Sequence, residues 1–314
     1  MSHRFRIGVS LRHLEGKYIE DWWWWINAAC ERTFTFMSND DPTDPFAGLE
    51  DQLDLTPQDA RTALLDKARR GFCPIRNTFV QHPQPAKIRP SVLAEFVTSR
   101  QERALDAFLL LHALQPILEN EPYPMGTWAN LLSGRRPCST PTASKTFSTL
   151  EDMALISRRR EGHRAILTPL REDASGNPWV KAGSDTQERD GYFVVPHEYW
   201  TKGYADRLRL PGKAMLLIAL KETQGDGHQS FEMALERAFE WYGISERTAE
   251  RGFIELNRER LSLTRIQRVA NPKLPPGVYQ RRYHRALREP FSTIYRKRLQ
   301  DAAKTRVTAT TERK

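Results

Sequence analysis

The chain repeats itself at a fixed spacing, and that repeat limits what it can fold into. Shifted by 106 residues, Leu110, Leu111, Ala113 and Leu114 fall on Leu216, Leu217, Ala219 and Leu220. The same shift places Ser139, Thr142, Ala143, Phe147, Leu150 and Leu155 on Ser245, Thr248, Ala249, Phe253, Leu256 and Leu261, and Lys145 on Arg251. Both matched stretches keep one register without a net gap. A shared S-x-x-T-A-x-[K/R]-x-F-x-x-L-x-x-x-x-L pattern exceeds a chance run of apolar matches, so one supersecondary unit is expected twice.

The second copy is the more explicit. Its pattern predicts helices over 211–220, 231–242 and 245–258, then strands over 261–269 and 278–287 around a Pro/Gly-rich tip at 271–277. Gly243 suits the left-handed position that ends a helix, and Ser245 suits the N-cap of the next. In the third helix Ala249, Phe253 and Leu256 fall at i, i+4 and i+7, which makes one buried face. Arg247, Arg251, Ile254 and Arg258 point the other way. The first copy reads alike: one or two helices over 91–118, a short helix over 127–132, and a third capped by Thr140 and opened by Pro141. Strands over 153–159 and 164–170 follow, around Glu161-Gly162-His163. Three helices and a two-stranded hairpin, in that order, are the order of a winged helix. The expected fold class is therefore mainly α with small β-hairpin wings (α+β). It comprises two tandem winged-helix domains, 85–172 and 191–290, after a helical N-terminal segment, 1–84. A polar linker, 173–190, joins them, and a basic tail, 291–314, follows. The strand-like 191–196 and a helix holding Tyr199 and Trp200 lead into the second copy.

Charge is distributed unevenly. The 314-residue chain carries a net charge of +9, whereas residues 251–314 alone hold 17 Lys/Arg against 5 Asp/Glu, a balance of +12. Such a concentration is the electrostatic footprint of a nucleic-acid partner. No amphipathic basic helix with a strong apolar face accompanies it, which argues against a membrane surface. A third helix with arginines opposite its core suits entry into a major groove. The candidate DNA-contacting residues in the second copy are Ser245, Arg247, Thr248, Arg251 and Arg258 on that helix. Arg265, Arg268, Lys273, Arg281 and Arg282 join them on the hairpin. In the first copy they are Lys145, Ser148, Thr149, Arg158, Arg159, Arg160 and Arg164. Pro141 and Asp152 stand where the second copy has Arg247 and Arg258, so base reading is expected from the second copy and phosphate or protein contacts from the first.

Other chemistries lack their residues. The eight histidines include no H-x-H pair, and no G-x-x-x-x-G-K-[S/T] phosphate loop occurs. His163 and His284 read as wing residues, and His112, within an apolar helix, as a satisfied core histidine. Cys30, Cys73 and Cys138 make neither a metal-ligand spacing nor a disulfide framework, which fits a reducing cytosol. No signal peptide is visible and no apolar run approaches a membrane span. Near the N-terminus, Trp22-Trp23-Trp24-Trp25 cannot all face one side of a helix. With Glu20, Asp21 and Glu31 around it, the run reads as a wedge between elements or subunits rather than a base-stacking platform. Residues 38–66 hold eight acids and one Arg and read as a solvated linker, then a helix capped by Thr56, opened by Pro57 and ended by Gly71. The stretch 73–90 reads as the boundary to the next domain, and the tail as a helix that frays.

Four sequence blocks carry a resemblance. Tyr192-Phe193-x-x-Pro196-x-x-Tyr199-Trp200 is followed by Leu210-Pro211-Gly212-Lys213-Ala214-Met215-Leu216-Leu217-Ile218-Ala219-Leu220. Trp241-Tyr242-Gly243-Ile244-Ser245 and Thr248-Ala249-Glu250-Arg251-Gly252 complete the set. Over about residues 85–291 the chain resembles winged-helix proteins of actinobacteria. The two-copy layout is also similar to plasmid replication initiators with tandem winged helices, which implies that one copy mainly dimerises while the other reads repeated DNA sites. The expectation is a non-enzymatic, cofactor-free and metal-free sequence-specific binder of double-stranded DNA, cytoplasmic and nucleoid-associated. It would be a transcriptional regulator, on a mobile element in one version, with a homodimer and an N-terminal protein partner compatible with it. A plasmid-type replication initiator and a winged-helix protein–protein module are the alternatives.

Overall fold

A buried two-stranded ribbon lies between the two repeated halves. In the computed structural model, residues 56–311 are described apart from 85, 87, 119–121, 163, 182–190 and 226–227. The tryptophan run at Trp22–Trp25, the acidic stretch before Leu55, His163 and the second half of the 173–190 linker therefore lie outside the described residues. The elements begin with α1 (Pro57–Lys67) and β1 (Phe72–Arg76), then a 3-10 turn at Asn77–Phe79. The first half follows as α2 (Val92–Thr98), α3 (Glu102–Leu118), α4 (Met125–Leu131), α5 (Thr140–Asp152), β2 (Ile156–Glu161) and β3 (Arg164–Pro169). Next come β4 (Tyr192–Pro196), α6 (Glu198–Thr201) and α7 (Tyr204–Arg207). The second half contains α8 (Leu210–Glu222), β5 (Ser230–Glu232), α9 (Arg237–Tyr242), α10 (Glu246–Arg258), β6 (Ser262–Ala270) and β7 (Tyr279–Leu287), and α11 (Thr293–Thr311) ends the chain.

The stretch read as a boundary is instead core. β1 pairs antiparallel with β4, from Phe72 opposite Pro196 to Arg76 opposite Tyr192. Cys73, Ile75, Phe193, Val194 and Val195 are fully buried. α3 packs on β1 and α8 packs on β4, so each half leans a long apolar helix on one strand of the same ribbon. Leu55–Lys314 accordingly forms one compact unit. Ion pairs reinforce the seam: the buried Lys213 ammonium on α8 reaches Asp106 on α3 at 2.6 Å and Glu102 at 3.2 Å. Arg76 meets Glu172 at 2.6 Å with both side chains buried. Part of the expected linker is also ordered, since Leu170 bridges Pro178 and the Trp179 indole donates to Glu172.

The repeat holds at atomic detail in the third helices. α5 and α10 are each 13 residues long and start and stop 106 residues apart. The Ser139 hydroxyl caps α5 by accepting from the Thr142 amide, and Ser245 caps α10 by accepting from the Thr248 amide. Thr140, expected as the cap, is therefore the first helical residue, with Pro141 after it. Past the C-termini, Ala154 (φ 55°) and Arg260 (φ 57°) both take the left-handed conformation at matching positions. The Leu155 amide then donates to the Leu150 carbonyl, and the Leu261 amide to the Leu256 carbonyl. This six-to-one closure, with an apolar residue following it, is a Schellman end without its usual glycine. Ala143, Phe147 and Leu150 in one half, and Ala249, Phe253 and Leu256 in the other, are buried as the spacing requires.

The halves differ elsewhere. The helix expected over 231–242 begins only at Arg237, because 230–232 is a strand, β5, that pairs with β7 through Phe231 opposite Arg285. The strand buries Phe231 and turns the second hairpin into a three-stranded sheet, ordered β5-β7-β6. β2 and β3 form a hairpin of six-residue strands, whereas β6 and β7 are nine residues each. Gly243 ends α9 in the left-handed conformation as expected (φ 66°). α1 has the Thr56 cap and the opening Pro57, but it stops at Lys67, ahead of Gly71. The C-terminal segment is no loose tail in its first part. Phe291 is buried, and so is Arg296, which donates to the carbonyls of Leu220, Thr223 and Phe291. It thereby satisfies carbonyls left open at the end of α8, and burial lowers its pKa to about 10.

Candidate nucleic-acid interface

α10 is held by its core face, and the opposite face is bare. Gly252 lets the helix approach α8 so closely that a Cβ there would run into the Pro211 carbonyl and the Met215 side chain. With that side fixed, Arg247, Arg251, Ile254 and Arg258 form one exposed stripe along the helix. Ile254 is 60% exposed. Among the described residues Arg247 and Arg251 make no ion pair, and Arg258 reaches only Glu259, at 3.7 Å, which Arg207 already engages at 2.8 Å. Glu255 turns away to accept from the Arg209 amide at 3.0 Å. Glu246 and Glu250 are exposed on one flank, so a polyanion would meet favourable charge along the arginine stripe and unfavourable charge beside it. Ser245 and Thr248 bond each other at 2.8 Å in the cap. Their hydroxyls fix the helix start and are only secondarily available to a phosphate.

In the first half Lys145 is exposed on α5, with Ser148 and Thr149 half-buried beside it. Thr149 donates back to the Lys145 carbonyl at 3.2 Å. The arginine run on β2 divides by role. Arg158 is tied down, with its Nε donating to Glu151 at 2.8 Å and its Nη1 to the Ser144 carbonyl at 3.2 Å. It joins the hairpin to α5. Arg159 meets Glu161 only at 4.0 Å, and Arg160 donates to the Gly162 carbonyl at 3.1 Å. Both are exposed, as is Arg164.

The second hairpin carries Arg265, Arg268, Lys273, Arg281 and Arg282, all exposed. Arg282 lies 3.7 Å from Glu232. Arg268 and Arg281 sit directly opposite one another in the antiparallel register, and neither pairs with an acid among the described residues. At the base, Arg285 was not anticipated. It is buried, its guanidinium lies 4.1 Å from the Phe253 ring and 5.5 Å from the Tyr283 ring, and it donates to the Met233 carbonyl. Burial lowers its pKa. It clamps the sheet onto α10; its place opposite Phe231, on the strand that gains β5 as a second partner, left no local signal. His284 bonds Gln267 at 2.9 Å, in line with its reading as a hairpin residue.

Among the described residues no three His, Cys, Asp or Glu side chains are placed to hold a metal, and no helix is long and apolar enough to cross a membrane. Compared with protein-family models, with curated proteins and with solved structures, the chain gives no match.

Proposed function

We propose that this chain is a sequence-specific double-stranded DNA-binding protein, a transcriptional regulator whose two halves are tandem winged helices. The observation that carries the reading is the exposed Arg247–Arg251–Arg258 stripe on α10, backed by a rigid core face, with no carboxylate paired to Arg247 or Arg251 among the described residues. Guanidinium groups so presented match guanine edges in a major groove and phosphates beside it. Base reading falls to α10. Lys145, Arg159, Arg160 and Arg164 supply contacts to phosphate, which add affinity and salt dependence rather than sequence preference.

Selection from a random double-stranded pool, repeated at two salt concentrations, tests this. A sharp motif is the expected outcome. Arg247→Ala or Arg251→Ala then costs roughly 1–3 kcal/mol for the selected site and relaxes the preference at one position. Binding without any motif, or a motif indifferent to both substitutions, overturns the assignment of α10 as the reader.

A further inference from the structure

We propose that the outer half of the β6–β7 ribbon is a platform for unpaired bases, so that the protein also holds single-stranded DNA. Side chains alternate along a strand, which puts Tyr279, Arg281 and Tyr283 on one face of β7. The register places Ala270, Arg268 and Ile266 opposite them on the same face of the ribbon. The next residue of that row is Arg285, against Phe253. The face that packs on α10 at its base thus runs on uncovered toward the tip: Tyr279 is 55% exposed and Ile266 52%.

Three features of this row point to one occupant. Like charges directly across a ladder cost stability, and Arg268 opposite Arg281 has no compensating acid among the described residues. An anion held by both guanidinium groups removes that cost. Rings alternate with the charges, the composition that binds a strand by stacking its bases and pairing its phosphates. In a duplex the base faces are stacked on one another, so ring-to-base stacking needs a strand whose bases are free. A second copy of the chain is the competing occupant for an exposed ribbon. Here it would bring Arg265, Arg268, Arg281 and Arg282 against their own like, so charge favours the nucleic acid.

This inference does not depend on α10 reading a duplex. The test uses the full chain and a labelled thymidine oligomer of about 20 nucleotides, longer than the roughly 4–16 nucleotides a single-strand site usually covers. Fluorescence anisotropy at about 50 mM salt is expected to show binding. Tyr279→Phe, which keeps the ring, should bind as the parent does. Tyr279→Leu, which keeps an apolar strand residue but no ring, should bind at least about fivefold more weakly, the lower limit for losing one stacked base. Duplex affinity should be unchanged by either. No binding to the oligomer overturns the proposal, as does Tyr279→Leu behaving like Tyr279→Phe or weakening oligomer and duplex equally. A change in sedimentation of Tyr279→Leu without nucleic acid would assign the face to self-association instead. Arg247→Ala with Arg251→Ala serves as the separate control. That variant should keep oligomer binding whether or not the duplex reading stands.

Discussion

His112 sits in the buried face of α3 between the Phe108 ring at 4.4 Å and the Trp179 ring at 5.8 Å, and neither ring nitrogen has a hydrogen-bond partner among the described residues. The sequence identified a core histidine, but not one left unsatisfied. Burial, with the nearby Arg76 charge, lowers its pKa to about 3, and burial lowers that of His197 to about 4. Unfolded, both would take a proton near pH 6.5. Between those values the unfolded chain binds more protons, so each histidine makes stability fall as the pH drops from about 7 toward 4. Asp106 acts with the opposite sign. Burial pushes it up to about 6 despite Lys213, so the folded state holds its proton first and gains stability as the pH falls from 6 toward 4. The two effects separate in a comparison of variants. His112→Leu should lose less stability than the parent between pH 7 and pH 5, by on the order of 1–2 kcal/mol in urea unfolding. Identical acid sensitivity in both proteins would show that His112 is not the group responsible. Arg158 is held differently from its two neighbours on β2. Because it is bonded to Glu151 and Ser144, Arg158→Ala should lower stability by about 0.5–1 kcal/mol while the salt slope of DNA binding stays put. Arg159→Ala with Arg160→Ala should do the reverse.

Among elements, the third helices were the most legible, and for a physical reason. Their core faces are local, so the spacing of Ala143, Phe147 and Leu150, or of Ala249, Phe253 and Leu256, shows which side is buried, and Ser245 was readable as a cap, whereas the α5 cap was expected one residue late, at Thr140 instead of Ser139. Ser139→Ala and Ser245→Ala should therefore cost similar amounts, about 1 kcal/mol each, when measured by thermal or urea unfolding. Phe253→Ala should cost about 3–5 kcal/mol, since it leaves a core void and removes the ring beneath Arg285. A fully stable Phe253→Ala protein would contradict the packing of α10 described above. What stayed illegible is what needs a distant partner. β5 is three residues long, too short for any period, and exists because β7 offers it an edge. Nor does any glycine mark the left-handed residues Ala154 and Arg260 that end α5 and α10. In the candidate site the arginine stripe of α10 was readable from helical spacing. The division of labour within Arg158–Arg160 was not, because it depends on where Glu151 and the Ser144 carbonyl come to rest. Nor was the ring-and-arginine row of β7, which acquires meaning only once the register with β6 is known.

At the scale of the whole molecule, domain boundaries drawn from composition missed the β1–β4 ribbon. Its two five-residue strands are separated by the entire first half, and nothing in either announces the other. The ribbon determines where the chain can be cut. A protein starting at Leu55 should unfold in one cooperative urea transition with native-like amide protection. One starting at residue 85 loses β1 and leaves Phe193, Val194 and Val195 of β4 uncovered, so it should aggregate or lose cooperativity. Two well-separated transitions in the longer protein, or a well-folded shorter one, would mean that the halves are independent. The shared ribbon has a further consequence if both third helices touch DNA. They would be set on a caliper rather than a tether, with a gap between their footprints that the fold determines and the DNA must match. Inserting half a helical turn, about 5 base pairs, between the two contacted segments should then cost one footprint outright rather than being absorbed by the protein.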